Sequence, residues 1–159
     1  AEMNKQRNAK LAHRWRAALI HILCCSWALD NGVTCYAASG QLIDDWDNFD
    51  GAISDLQVRY QDSPVEAGFC FIENTLGLCS SPLDGKAPCR VYLNPLALTE
   101  ETRFRPGDLL DVAYHEAAHL WESHHGEAFC GVEHKLRRSV RRWMTEREFI
   151  ASIAGIQSL

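Results

Sequence analysis

No stretch of this chain is apolar for long enough to cross a bilayer: the richest candidate, residues 17–29, is interrupted by His21 and Ser26, where about 20 consecutive apolar residues are needed. The first residues are polar and lack the pattern of a secretory signal. Cysteines are present (Cys24, Cys25, Cys35, Cys70, Cys79, Cys89 and Cys130) but none are spaced C-x-x-C and their number is odd, which argues against a zinc ribbon and against a complete disulfide framework. Reduced, mostly buried thiols in an intracellular, cytoplasmic protein are therefore expected, with Cys79 and Cys89 the pair that could still bridge a loop. Positive charge is also in short supply, since 16 Lys and Arg face 21 Asp and Glu for a net charge of -5. Such a chain lacks the overall basic footprint of a nucleic-acid binder.

At 159 residues the chain suits one domain spanning 1–159, with a real core, and is too short for two comfortable ones. Its abrupt polar opening suggests a piece of a larger protein. Residues 8–29 read as a first helix, with Leu11, Trp15, Ala18, Leu19, Ile22 and Leu23 on one face and a stop at Asp30-Asn31-Gly32. A second helix is expected over 41–60, where Leu42, Trp46, Phe49, Ile53 and Leu56 recur at helical spacing. Its acids Asp44, Asp45, Asp47 and Asp50 lack the spacing of a calcium loop and read as a solvated face.

Between 67 and 94 the character changes. Residues 68–72 and 89–93 are short, aromatic and β-branched, and flank a segment rich in turn residues, so they are expected to pair in a small sheet with the intervening loop near a cleft. Residues 132–147 read as a late helix crowded with arginine, and the tail from 145 again shows helical spacing.

The densest chemistry lies in residues 108–129, DLLDVAYHEAAHLWESHHGEAF. Pro106-Gly107 breaks what precedes, Asp108 is placed to cap a helix with Asp111 three residues on, and Leu109, Leu110, Val112, Ala113, Ala117, Leu120 and Trp121 make a broad apolar stripe that predicts a buried central helix. On it, His115 and His119 are four residues apart, so their imidazoles stack about 5–6 Å apart at Cβ and can converge on one ion at a bond length of about 2.0–2.1 Å. Glu116 lies a fraction of a turn away, suited to act as general base on a metal-activated water.

Catalytic zinc takes three protein ligands as a rule. Glu122 shares the face but lies too far along the axis. His125 is the third ligand if the chain turns back after about Ser123, with Gly126 supplying the turn; His124 beside it and His134 are its competitors. Asp111, one turn before His115, could accept a hydrogen bond from that imidazole or simply cap the helix.

The pattern His115-Glu116-x-x-His119, five residues, then His125-Gly126-x-x-Phe129 resembles the SprT-like metallopeptidases, over roughly residues 91–136. The resemblance implies an α+β, zincin-like fold: a small sheet with an edge strand, packed on a central helix that carries the motif, plus flanking helices. It implies a zinc-dependent endopeptidase with Zn2+ on His115, His119 and His125. Residues 89–94, with Arg90, Val91, Tyr92 and Leu93, would be the edge along which an extended protein substrate pairs. A regulatory partner domain is in keeping with such enzymes; DNA contact, tempting because the family acts on DNA-crosslinked proteins, is not favoured for so acidic a chain. Two other families share the histidine spacing. Metzincins and YbeY-type ribonucleases place glycine where Glu122 stands, and the latter lack the glutamate after the first histidine. The alternatives are such a ribonuclease or a non-catalytic zinc-stabilised interaction module.

Overall fold

A computed structural model describes residues 2–35, 51–71, 73–80, 88–95 and 106–155. The chain runs α1 (Glu2–Leu23), α2 (Ser26–Asp30), β1 (Val33–Cys35), β2 (Gly51–Tyr60), β3 (Ser63–Phe69), β4 (Gly77–Ser80), β5 (Cys89–Leu93), α3 (Pro106–Ala118), α4 (Glu127–Arg141) and α5 (Glu146–Gly155). It is a mixed α and β fold, with five strands in the order β1-β2-β3-β5-β4. Strands β3 and β5 run parallel, so that Phe69 lies opposite Leu93, and β4 returns antiparallel to β5 with Gly77 opposite Leu93.

One face of the sheet carries the core. Val65, Ala67 and Phe69 on β3 and Cys89, Val91 and Leu93 on β5 point into it, the two-residue alternation of a strand with one face covered. Against them pack Leu11, Trp15, Leu19, Ile22 and Leu23 of α1 and Leu109, Leu110, Ala113 and Ala117 of α3. The apolar face expected of the first helix is thus the buried one. That helix starts earlier than expected and breaks at Cys24-Cys25, after which α2 begins; the stop at Asn31-Gly32 is real, with Gly32 at φ 105, a value open to glycine at little cost.

The expected helix over 41–60 is corrected. Residues 51–60 form β2, while 41–50 lie outside the described residues. Leu56 and Val58 are buried with Gln57 and Arg59 turned away, but the pairing with β3 shifts register between Ala52 and Ser54 and again between Asp55 and Arg59, and Gln57 takes φ 62. Such bulges break the two-residue period by which a strand is recognised. The expected late helix is α4, which starts earlier and ends at Arg141, and the helical spacing of the tail is α5, which sinks Phe149 and Ile153 into the core. Of the arginines there, Arg137 and Arg141 are ion-paired, the latter with Glu146 at 3.7 Å. Among the described residues, no helix is long and apolar enough to cross a membrane.

Helix α3 begins at Pro106, so Asp108 lies in its first turn instead of capping it. Proline suits that position, where its missing N–H has no partner to lose. The helix spans the core, touching α1, α4, α5, β4 and β5.

Trp15 joins the layers: its side chain is wholly buried and its indole N–H donates to the Val91 carbonyl oxygen at 3.2 Å. Trp15→Ala should destabilise the fold by about 3–5 kcal/mol in urea unfolding. Trp143→Ala, at a side chain 71% exposed, should change it by less than about 1 kcal/mol.

Candidate metal centre

Helix α3 stops just before its second histidine. The His119 N–H donates to the Glu116 carbonyl at 3.2 Å, Leu120 to Ala117 at 3.0 Å and Trp121 to Ala118 at 3.1 Å, the three-residue spacing of a tightened last turn. The chain then reverses, and α4 starts at Glu127 after Gly126. This reversal carries His125 back over the end of α3. Its Nε2 lies 3.0 Å from His115 Nε2 and 3.0 Å from His119 Nε2, and the three side chains lie close enough together to hold a metal ion. His124 and His134, both exposed, are outside the group.

The chemistry of the donors fits an ion. His119 Nδ1 lies 2.9 Å from the Glu122 carbonyl oxygen; it must donate there, which leaves the lone pair on Nε2, facing the other two rings. A tetrahedral ion with bonds of about 2.0–2.1 Å sets its nitrogens about 3.3 Å apart, a few tenths of an ångström wider than the spacings here. Glu122 thus contributes through its backbone, though its side chain is no ligand. Buried Phe129 floors the site, its ring centroid 4.8 Å from His115, 4.6 Å from His119 and 5.0 Å from His125. The aromatic in the motif is a packing plate for all three imidazoles.

Burial lowers the pKa of both His115 and His119. For His115 the neighbouring His119 adds to this and Glu133 opposes it; for His119 the Glu122 carbonyl and Glu133 oppose. Both rings are therefore biased toward the neutral form that binds metal. Glu116, on the buried side with its side chain only 6% exposed, has its carboxyl pushed up to about 7 by desolvation. One of its oxygens lies 3.9 Å from His119 Nε2.

The carboxylate nearest His115 Nδ1 is that of Glu133, at 3.9 Å, and it comes from α4. Asp111, expected in that role, instead accepts from Arg137 Nη2 at 3.2 Å, and the same nitrogen donates to Glu133 at 3.2 Å. Arg137 is seated over the Tyr114 ring, 4.4 Å from its centroid. Asp111 and Glu133 are thus joined through Arg137, and of the two it is Glu133 that lies near His115.

A cleft of about 1010 Å³ opens over these groups, with α3 and α4 on one side and Gly77, Leu78, Cys79 and Ser80 of β4 on the other. Its strand is not the expected one. Residues 89–94 contribute β5, which is hydrogen-bonded on both sides, to β3 and β4. Val91 and Leu93 are buried in the core, while Arg90 pairs with Glu66 at 3.4 Å on the opposite face and also hydrogen-bonds Tyr92. The end strand is β4, held at its entry by Asn94, whose backbone N–H donates to the Leu76 carbonyl at 2.9 Å and whose side chain donates to the Thr75 carbonyl at 2.8 Å.

Gly77 is the closest approach of the sheet to the helix. A Cβ there would stand 2.7 Å from Glu116 Cγ, 2.7 Å from Glu116 Oε2 and 2.7 Å from the Tyr92 carbonyl oxygen. Only glycine lets the strand pass. A glycine opening a short strand is the signal that could have disclosed this. Comparison with known proteins adds nothing to the site: no family model, no curated protein and no solved structure matches the chain.

Elemental analysis of the purified chain should give one bound metal ion, lost in His125→Ala and kept in His124→Ala. Because burial holds His115 and His119 below the ordinary histidine value, protons compete with the ion only below about pH 6.5; metal kept at neutral pH should be released on acidification beyond it. Glu133→Gln should weaken metal affinity by about 10- to 100-fold, measured by competition with a chelator.

Proposed function

We propose that this chain is a zinc-dependent endopeptidase domain of the SprT-like kind, with a zincin-like relation between the end strand β4 and helix α3. The observation that carries the proposal is a buried carboxyl group, Glu116, poised near neutrality beside three converging imidazole nitrogens at the floor of an open cleft. Zinc held by His115, His119 and His125 would supply an activated water and polarise a scissile carbonyl. Glu116 would take up the proton of that water and return it to the leaving amine.

The substrate is a protein in extended form, laid along β4. An end strand offers backbone N–H and C=O groups without partners in the sheet, and an added strand satisfies them. Arg90, Val91, Tyr92 and Leu93 support that edge from the next strand, with the Tyr92 carbonyl backing Gly77. Three imidazoles facing the cleft are a donor set that would suit a catalytic zinc ion. A ribonuclease of the YbeY type would leave Glu116 without a role, and an interaction module would have no use for a base in a cleft. A partner domain that opens or covers the cleft is in keeping with such peptidases; DNA is not favoured.

Incubating the zinc-loaded chain with an unfolded protein and reading fragments by mass spectrometry tests this. Glu116→Gln should lower cleavage by about 10²- to 10⁴-fold with metal retained, and Gly77→Ala should lower it too by displacing the Glu116 carboxylate. Cleavage that survives Glu116→Gln, or RNA breakdown by the parent with the protein substrate left whole, would overturn the reading.

A further inference from the structure

Two sulfurs meet at the opposite end of α1 from its N-terminus. Cys24 Sγ and Cys35 Sγ are 3.1 Å apart. Cys24 closes α1, its N–H donating to the Ile20 carbonyl at 2.9 Å, and Cys35 is the last residue of β1, opposite Val58 of β2. Cys35 is exposed and Cys24 half-buried. Between them run α2 and the Asn31-Gly32 turn.

That bracketed segment supports the metal-site turn. Trp121, two residues past His119, donates its indole N–H to the Asn31 carbonyl at 2.7 Å. Its ring packs on Trp27 at 5.0 Å and on Tyr60 at 5.3 Å between centroids. Trp27 in turn donates its backbone N–H to Ser139 Oγ of α4 at 3.0 Å. Residues 24–35 thus touch both the turn from His119 to His125 and the helix that follows it.

We infer that Cys24 and Cys35 are a thiol–disulfide pair, closed by exchange with a low-molecular-weight disulfide such as glutathione disulfide, and that closure stiffens the platform under the turn that carries His125. Cys35, exposed, reacts first: its thiolate attacks one sulfur of the oxidant and expels one thiolate. The Cys24 thiolate then attacks Cys35 Sγ, forming the protein disulfide and expelling the second. Two electrons pass from the pair to the oxidant, and the two cysteine protons are taken up by the two released thiolates. Burial and the neighbouring sulfur hold the Cys24 thiol well above its ordinary value, which assigns it the second, intramolecular step, where proximity offsets its weak ionisation. The pair itself does not depend on the peptidase reading or on metal, so thiol mapping succeeds or fails independently of both.

The test treats the full chain with glutathione disulfide, alkylates the remaining thiols and maps the peptides by mass. A crosslinked Cys24–Cys35 peptide is expected, with a melting temperature about 5–10 °C above that of the reduced chain. Backbone amides of residues 120–125 should exchange roughly tenfold more slowly. Both gains should be absent in Cys35→Ser, a change at an exposed position. Cys130, exposed on α4, reports that the oxidant has acted: its glutathionylation while Cys24 and Cys35 both remain alkylable overturns the pair. A crosslink that leaves amide exchange over 120–125 unaltered overturns the platform.

Discussion

The site depends on where α3 ends. Had the helix run on past Ala118, His125 would point along the axis and away from His115; because the last turn tightens and the chain reverses, its Nε2 instead comes within 3.0 Å of both other rings. Three further contacts keep the reversal in place. The Glu122 carbonyl takes the His119 Nδ1–H, Phe129 supplies the plate on which all three rings lie, and Trp121 ties the turn to the Asn31 carbonyl on the far side of the core. Each acts on the backbone or ring orientation of a donor, which is how supporting groups raise the affinity of a metal site without touching the ion.

On the opposite wall the constraint is steric. The α3 helix carries Glu116 into a space with its carboxyl group 2.7 Å from where a Gly77 side chain would begin. Burial of the carboxyl on this side of α3 lifts its pKa, and the strand passes beside the imidazoles across the cleft. A side chain at position 77 would collide with the Glu116 carboxyl, so the close approach of strand and helix requires glycine there. The cost is that the strand has no freedom to adjust there.

What the sequence disclosed was what is local. The apolar face of α1 and the buried stripe of α3 could each be argued from spacing within about one or two turns, where neighbours in sequence are neighbours in space, whereas His125 was preferred to its neighbour His124 through the motif's resemblance. The bounds of β5 were legible for the same reason. The rest depended on contacts between distant segments. Glu133 approaches His115 only because α4 packs back on α3, and Asp111, the nearer candidate in sequence, is taken by Arg137. Strand β4 is four residues long and sits among turn-forming residues, too short to show a period, so it went unread and the edge was placed on residues 89–94 by resemblance. Strand β2 was read as a helix from apolar positions of which Leu42, Trp46 and Phe49 lie outside the described residues, and its bulges interrupt the alternation that marks a strand. In each case pairing partners, which no short window of sequence contains, decided the outcome.

The most direct test of the account is X-ray absorption at the zinc edge of the purified, zinc-reconstituted chain, which reads the identity and distance of the ligand atoms. Three imidazole nitrogens and one further light atom at about 2.0–2.1 Å, with no sulfur, is the predicted first shell. Sulfur at about 2.3 Å would place the ion on cysteines instead, and a folded chain that takes up no zinc would leave the three histidines without the role assigned to them.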